Sequence, residues 1–192
     1  MIRPYNGAKA QETKYSSNDP LPAGGYVCKI MATEVKEYTW GDQLVISFDV
    51  VEGEYKDFFA QQYRNQSDEW GKKWKGNFRI AIPGDESKDK YFESHSKTFN
   101  NLIFAIEDSN HGYNWDWDEN KLKGKLIGFL FRNKEWEYMG KTGWTTEACT
   151  ALAADRIRSQ DFRLPKDKPL PSPVKSISSV DNVADDDGDL PF

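Results

Sequence analysis

Between residues 24 and 50 the chain alternates as paired strands do. Tyr26, Cys28 and Ile30 share one parity and Val27, Lys29 and Met31 the other, so this stretch is expected to be covered on both faces before it turns polar and aromatic from Val35 to Trp40. Gly41-Asp42 supplies a turn, after which Leu44, Ile46, Phe48 and Val50 alternate with Val45, Ser47 and Asp49. Strand, short turn and strand make a hairpin. Tyr55 to Tyr63 fits either an extended or a helical segment, and Asn77 to Ile82 reads as a short strand stopped by Pro83-Gly84-Asp85. The period then changes. Phe99, Leu102, Ile103 and Ile106 recur at three- and four-residue spacing, with Phe104 widening the apolar face, so 95–109 is predicted helical. Leu122 to Arg132 reads as a central strand on the strength of Leu126-Ile127-Gly128-Phe129-Leu130-Phe131. Trp136 to Met139 and Gly143 to Ala148 form a further hairpin around Gly140-Lys141-Thr142, and Ala151 to Arg158 either continues the strand or forms a short helix.

The order is strand, strand, strand, helix, strand, strand. This predicts a mainly β fold with one helix, a five-stranded OB-fold-like barrel in which the helix lies between the third and fourth strands. Residues 1–23 read as an irregular leader, 24–164 as the domain and 165–184 as a flexible linker marked by Pro and Ser. Residues 185–192 form an acidic-apolar tip, expected to be disordered because adjacent carboxylates repel and little apolar surface offsets the entropy of ordering.

Charge sharpens this division. The chain of 192 residues carries a net charge of −5. Residues 181–192 hold five Asp and no cation, so residues 1–180 are neutral. A neutral body argues against a duplex binder, which needs a strong positive excess. It leaves room for a single-strand binder, where stacking on aromatic rings supplies affinity and only a local groove need be positive. Aromatic residues make up 14% of the chain, enough for such a surface as well as a core.

Three clusters combine rings with cations or loops. The segment 63–79 offers Tyr63, Arg64, Trp70, Lys72, Lys73, Trp74, Lys75 and Arg79, in which Trp70 and Trp74 could equally pack a short helix onto the barrel. The last hairpin offers Arg132, Lys134, Trp136, Tyr138, Lys141 and Trp144, with Trp136 and Tyr138 on one face and Lys141 at the tip. Tyr38 and Trp40, at the end of the first hairpin, are a third pair. In each case the rings could instead face the core.

Other patterns fall short of chemistry. Gly140-Lys141-Thr142 lacks the upstream Gly of a phosphate-binding loop, because Glu135 stands there. Asp116, Asp118 and Glu119 lack the spacing of a calcium loop, and two Cys with two His make a structural zinc site unexpected. His95 has no nucleophile patterned with it. No enzyme signature, metal or cofactor is therefore expected. Met1-Ile2-Arg3-Pro4-Tyr5-Asn6 lacks the apolar stretch of a signal peptide and no apolar run is long enough to span a bilayer, so the expectation is a protein of the cytoplasm without a membrane partner, with Cys28 and Cys149 as buried thiols.

The body resembles small proteins of phages and mobile elements of Gram-positive bacteria described as single-stranded DNA-binding proteins. Leu21-Pro22-Ala23-Gly24-Gly25-Tyr26, Trp115-Asp116-Trp117-Asp118 before Lys123-Gly124-Lys125, and Gly143-Trp144 carry that likeness, over roughly residues 20–165. The end, Asp185-Asp186-Asp187-Gly188-Asp189-Leu190-Pro191-Phe192, separately resembles the tip of bacterial single-stranded DNA-binding proteins. It has Leu190 where Ile is usual and Gly188 among the acids. The resemblance implies a protein of replication or recombination that binds single-stranded DNA, with Asp185, Asp186, Asp187, Asp189, Leu190, Pro191 and Phe192 recruiting partner enzymes in the bacterial host cell. The alternative is an interaction module or inhibitor that docks its tip on host replication proteins without binding DNA. The oligomeric state stays open.

Overall fold

The computed structural model describes residue 16 and residues 18–69 and 71–171. Trp70, most of the leader and the whole acidic tip, Asp185 to Phe192, lie outside the described residues. The chain is mainly β. Among the described residues five strands, β1 (Gly24–Lys36), β2 (Gln43–Val50), β3 (Asn77–Ala81), β4 (Leu126–Tyr138) and β5 (Lys141–Leu152), form one antiparallel sheet in the order β3-β2-β1-β4-β5. The long helix α2 (Phe92–Ser109) falls between β3 and β4, as the periodicity predicts. Among the described residues two short helices join it. They are α1 (Phe58–Arg64) and α3 (Ala154–Arg158), the two stretches whose pattern was ambiguous.

Alternation decides the core. Leu44, Ile46, Phe48 and Val50 are all buried on the inner face of β2. They meet Phe78, Phe129 and Phe131, with Phe48 and Phe129 ring centroids 4.5 Å apart. β1 serves two partners. Its first half pairs with β4 and its second with β2, and a bulge between Ile30 and Ala32 bends the strand between these tasks. Val27, on the outer face, packs with Leu130 under Ala154 and Ile157 of α3, so β1 begins covered on both sides.

α2 buries Phe99, Leu102, Ala105 and Ile106. Phe104 does not widen that face: it is 66% exposed, because it sits about 100° around the helix from its neighbours in sequence and the apolar stripe passes through Ala105 instead. α1 starts on Asp57 with a left-handed φ of 59° and no side-chain cap of its own. Its cap comes from β2. The Asp49 carboxylate accepts from the N–H groups of Phe59, Ala60 and Val50 at 2.9–3.0 Å. Burial pushes its pKa up, against the pull of those donors. Cys28 is fully buried, but Cys149 is only partly so.

Two stretches read as loose ends are built into the fold. Leu21, placed in the leader, is 2% exposed and belongs to the core, with its carbonyl accepting from the Thr146 hydroxyl. Beyond residue 164 the chain runs beside the part of β4 that extends past its pairing with β1. Lys168 N–H donates to the Asn133 carbonyl at 2.8 Å, and Glu135 N–H donates to the Lys168 carbonyl at 2.9 Å. This strap ends with the Leu170 N–H on the Glu135 carboxylate at 3.0 Å. The part of the linker that is described is therefore docked.

β3 and β5 are the two edges of the sheet, and no ladder joins them among the described residues. The seam between them is filled from two sides. α2 packs against both strands at one end. At the other end, residues 18–21 and α1 lie under a groove. No helix among the described residues is long and apolar enough to cross a membrane.

Candidate nucleic-acid interface

The groove at the open end of the seam has a volume of about 330 Å³. Lys75, Asn77 and Arg79 lead into and along β3 on one wall, with Lys134 of β4 and Thr145 to Ala148 of β5 on the other. Phe48, Phe59 and Phe131 lie at its base. The structure thus brings the first basic-aromatic segment and the last hairpin to one place. It does not bring Tyr38 and Trp40 there. Those two rings stack on each other at 5.0 Å and 10° at the tip of the first hairpin, both exposed. Trp40 instead borders a separate pocket with Asp89 and His95, whose Nδ1 lies 2.9 Å from the Asp89 carboxylate.

Within 63–79 the side chains divide. Trp74 is half-buried and its indole N–H donates to the carbonyls of Phe48 and Gly76 at 3.2 and 3.1 Å. Tyr63 leans on it at 5.9 Å. The backbone comes so close here that a Cβ on Gly76 would lie 2.4 Å from the Phe48 carbonyl oxygen, so glycine is required. Lys72, one of the cations offered for binding, is half-buried, its ammonium 3.2 Å from the Arg64 carbonyl and 3.4 Å from Asp68. Arg64, Lys73 and Arg79 are exposed. Lys75 is exposed and reaches Asn18 at 3.4 Å.

The last hairpin is longer than the pattern suggested. β4 runs unbroken from Leu126 to Tyr138, and Met139-Gly140, both at positive φ, make the two-residue turn that suits the twist of paired strands. Residues opposite one another in an antiparallel pair share a face. Arg132 faces Glu147, Lys134 faces Thr145, Trp136 faces Gly143 and Tyr138 faces Lys141. The other face pairs Asn133 with Thr146, Glu135 with Trp144 and Glu137 with Thr142. The arm is therefore two-sided, with Arg132, Lys134, Lys141, Trp136 and Tyr138 on one face and Glu135, Glu137 and Trp144 on the other.

This corrects the grouping of Trp144 with Trp136, which the register separates. It also answers the alternative that the Trp136–Tyr138 parity faces the core. Trp136 is 39% and Tyr138 66% exposed. Trp136 lies across Gly143, where a Cβ would come 2.8 Å from the indole, so the ring is held flat along the arm while one side stays in water.

Glu147 is the one acid among the paired residues of the basic face from Arg132 to Glu147. Its Oε1 accepts from Arg132 Nη2 at 2.7 Å and Nε at 3.1 Å, and its Oε2 lies 2.9 Å from Lys134 Nζ. Lys168 of the strap approaches within 3.7 Å. Burial pushes the Glu147 carboxyl up, but the bonds from Lys134 and Arg132 outweigh it and hold the group below the usual range. Lys134 is thus paired, where the sequence placed it as a free contact.

The residues set aside earlier have local tasks. Asp116 and Asp118 face Lys121, and Asp118 accepts from the Asn120 N–H at 3.1 Å. Sequence reasoning missed Trp117, 79% exposed at a φ of 69°, and Tyr91, 59% exposed. Trp117 was legible only as a Trp between two Asp, a setting that disfavours burial. A scan against protein-family models gives no match for the chain, and neither does a search of curated proteins.

Proposed function

We propose that this chain binds single-stranded DNA without strong sequence preference and serves replication or recombination as a binding protein rather than an enzyme. The observation that carries the reading is the basic-aromatic face of the β4–β5 arm. Two large rings and three cations stand in register on it, and one of them, Lys134, lines a groove whose opposite wall adds Lys75 and Arg79. A ring face left in water gains little from folding, whereas an unstacked base covers it at about 1–3 kcal/mol per base. The cations take the phosphates between stacked bases. A local concentration of this kind lets a neutral body bind a polyanion. The tip, Asp185 to Phe192, would recruit partner enzymes through Leu190-Pro191-Phe192, whose ring and acidic neighbours suit a basic, apolar pocket.

Titration with oligo-dT, followed by tryptophan fluorescence, tests this. The expected result is strong quenching that weakens as salt rises, with the oligonucleotide left intact. Unchanged fluorescence and no gel shift would overturn it in favour of an interaction module acting through its tip. Magnesium-dependent degradation of the oligonucleotide would overturn it in favour of a nuclease.

A further inference from the structure

We propose that Glu147 is an internal stand-in for a backbone phosphate, and that Arg132, Lys134 and Lys168 form a phosphate position of the groove that its carboxylate occupies in the free protein. This rests on the single-strand reading above. Three cations surround one carboxylate, so the cluster carries an excess of two positive charges. Like charges gathered this closely repel, and a single Glu does not balance them. The register turns the arm's other acids away, since Glu135 and Glu137 lie on the opposite face. Glu135 is moreover engaged by the Leu170 N–H, and Asp167 by the Asn133 side chain.

The arrangement has the form of an oxyanion site. Arg132 presents two N–H groups of its fork to one oxygen, and Lys134 approaches the other. Arginine forks and lysine point charges are how proteins hold phosphate oxygens. Lys168 is no chance neighbour. The strap's two main-chain hydrogen bonds to β4 place it there. The site is also reachable, because the Lys134 and Lys168 side chains are 41% and 52% exposed and both Lys134 and Glu147 line the groove. A phosphate entering here displaces Glu147 and takes over its cations, so the carboxylate sets a threshold that a weakly bound anion does not cross.

Three proteins decide the matter: the full chain, Glu147→Gln and Glu137→Gln. The two variants remove the same charge from opposite faces of the arm. In oligo-dT titrations at low salt, Glu147→Gln should bind about fivefold tighter or better than the unaltered chain. Its plot of log affinity against log salt should steepen by about 0.7 for each phosphate gained. Glu137→Gln should change neither. Equal or weaker binding by Glu147→Gln, or the same gain in Glu137→Gln, overturns the proposal while the single-strand reading stands. No binding by the unaltered chain removes both. Should Glu147→Gln fail to fold, Lys168→Ala takes its place. Its salt slope should become shallower by about 0.7, and an unchanged slope would mean that the cluster only fastens the strap.

Discussion

Two regions of this protein mix the same kinds of side chain and arrange them in opposite ways. Both 63–79 and the β4–β5 arm interleave aromatic rings with Lys and Arg. In the first, Trp74 and one of the lysines are tied down: Trp74 is bonded to β2, Tyr63 leans on it while staying partly in water, and Lys72 closes on Arg64 and Asp68. In the arm, alternation along two paired strands sorts the side chains, and the ladder leaves no room for rings to turn in. A loop can fold its side chains back on the core, whereas a two-stranded arm beyond the core can only display them. Interleaved rings and cations therefore stay open to solvent only where the backbone holds them away from the core.

The comparison makes its largest prediction on stability. Trp74→Ala should cost about 3 kcal/mol in urea denaturation, since a packed indole and its two hydrogen bonds are lost together. Trp136→Ala and Tyr138→Ala should each leave the urea midpoint nearly unchanged, within about 1 kcal/mol. A Trp74 variant as stable as the parent would break the distinction between the regions.

Binding should show the reverse. Trp136→Ala and Tyr138→Ala should each weaken oligo-dT by about 1–3 kcal/mol in fluorescence or gel-shift titrations, as expected for a lost stacking platform. Trp144→Ala, on the acidic face, should leave affinity close to the parent. If Trp144 mattered as much as Trp136, the two-faced account of the arm would fail.

The smallest effect expected is with pH. The folded chain holds Glu147 below its unfolded pKa, so near and below about pH 4.3 it binds fewer protons than the unfolded chain. The ion cluster's contribution, on the order of 1 kcal/mol, is whole above that range and fades as pH falls through the lowered folded value. Measured against Glu147→Gln, the parent should lose its small stability advantage on acidification. An advantage that grew with acid would contradict the pairing.

Much of the frame is legible in the sequence alone. The period-two run Leu44 to Val50, the apolar run Leu126 to Phe131 and the helical spacing of Phe99, Leu102 and Ile106 each report burial directly, because only one face of each element can meet the core. Phe104 misled because a ring adjacent to the stripe scores as apolar wherever it points. Leu21 and Lys168 were illegible for another reason: their contacts lie with Thr146 and with Asn133 and Glu135, far away in sequence, and no local pattern announces a segment that pairs with a distant edge.

The site divides in the same way. The sequence by itself determined the local chemistry: cations, acids and rings mixed from Arg132 to Tyr138, a turn at Gly140-Lys141-Thr142, and a neutral body joined to an acidic tip. Only the tertiary structure decided which of these residues are available. The β4–β5 register separated Trp144 from Trp136, the hydrogen bond to Phe48 held Trp74 half-buried, and the strap carried Lys168 to Glu147. Side-chain type is a property of one residue, whereas availability depends on partners brought together across the whole chain.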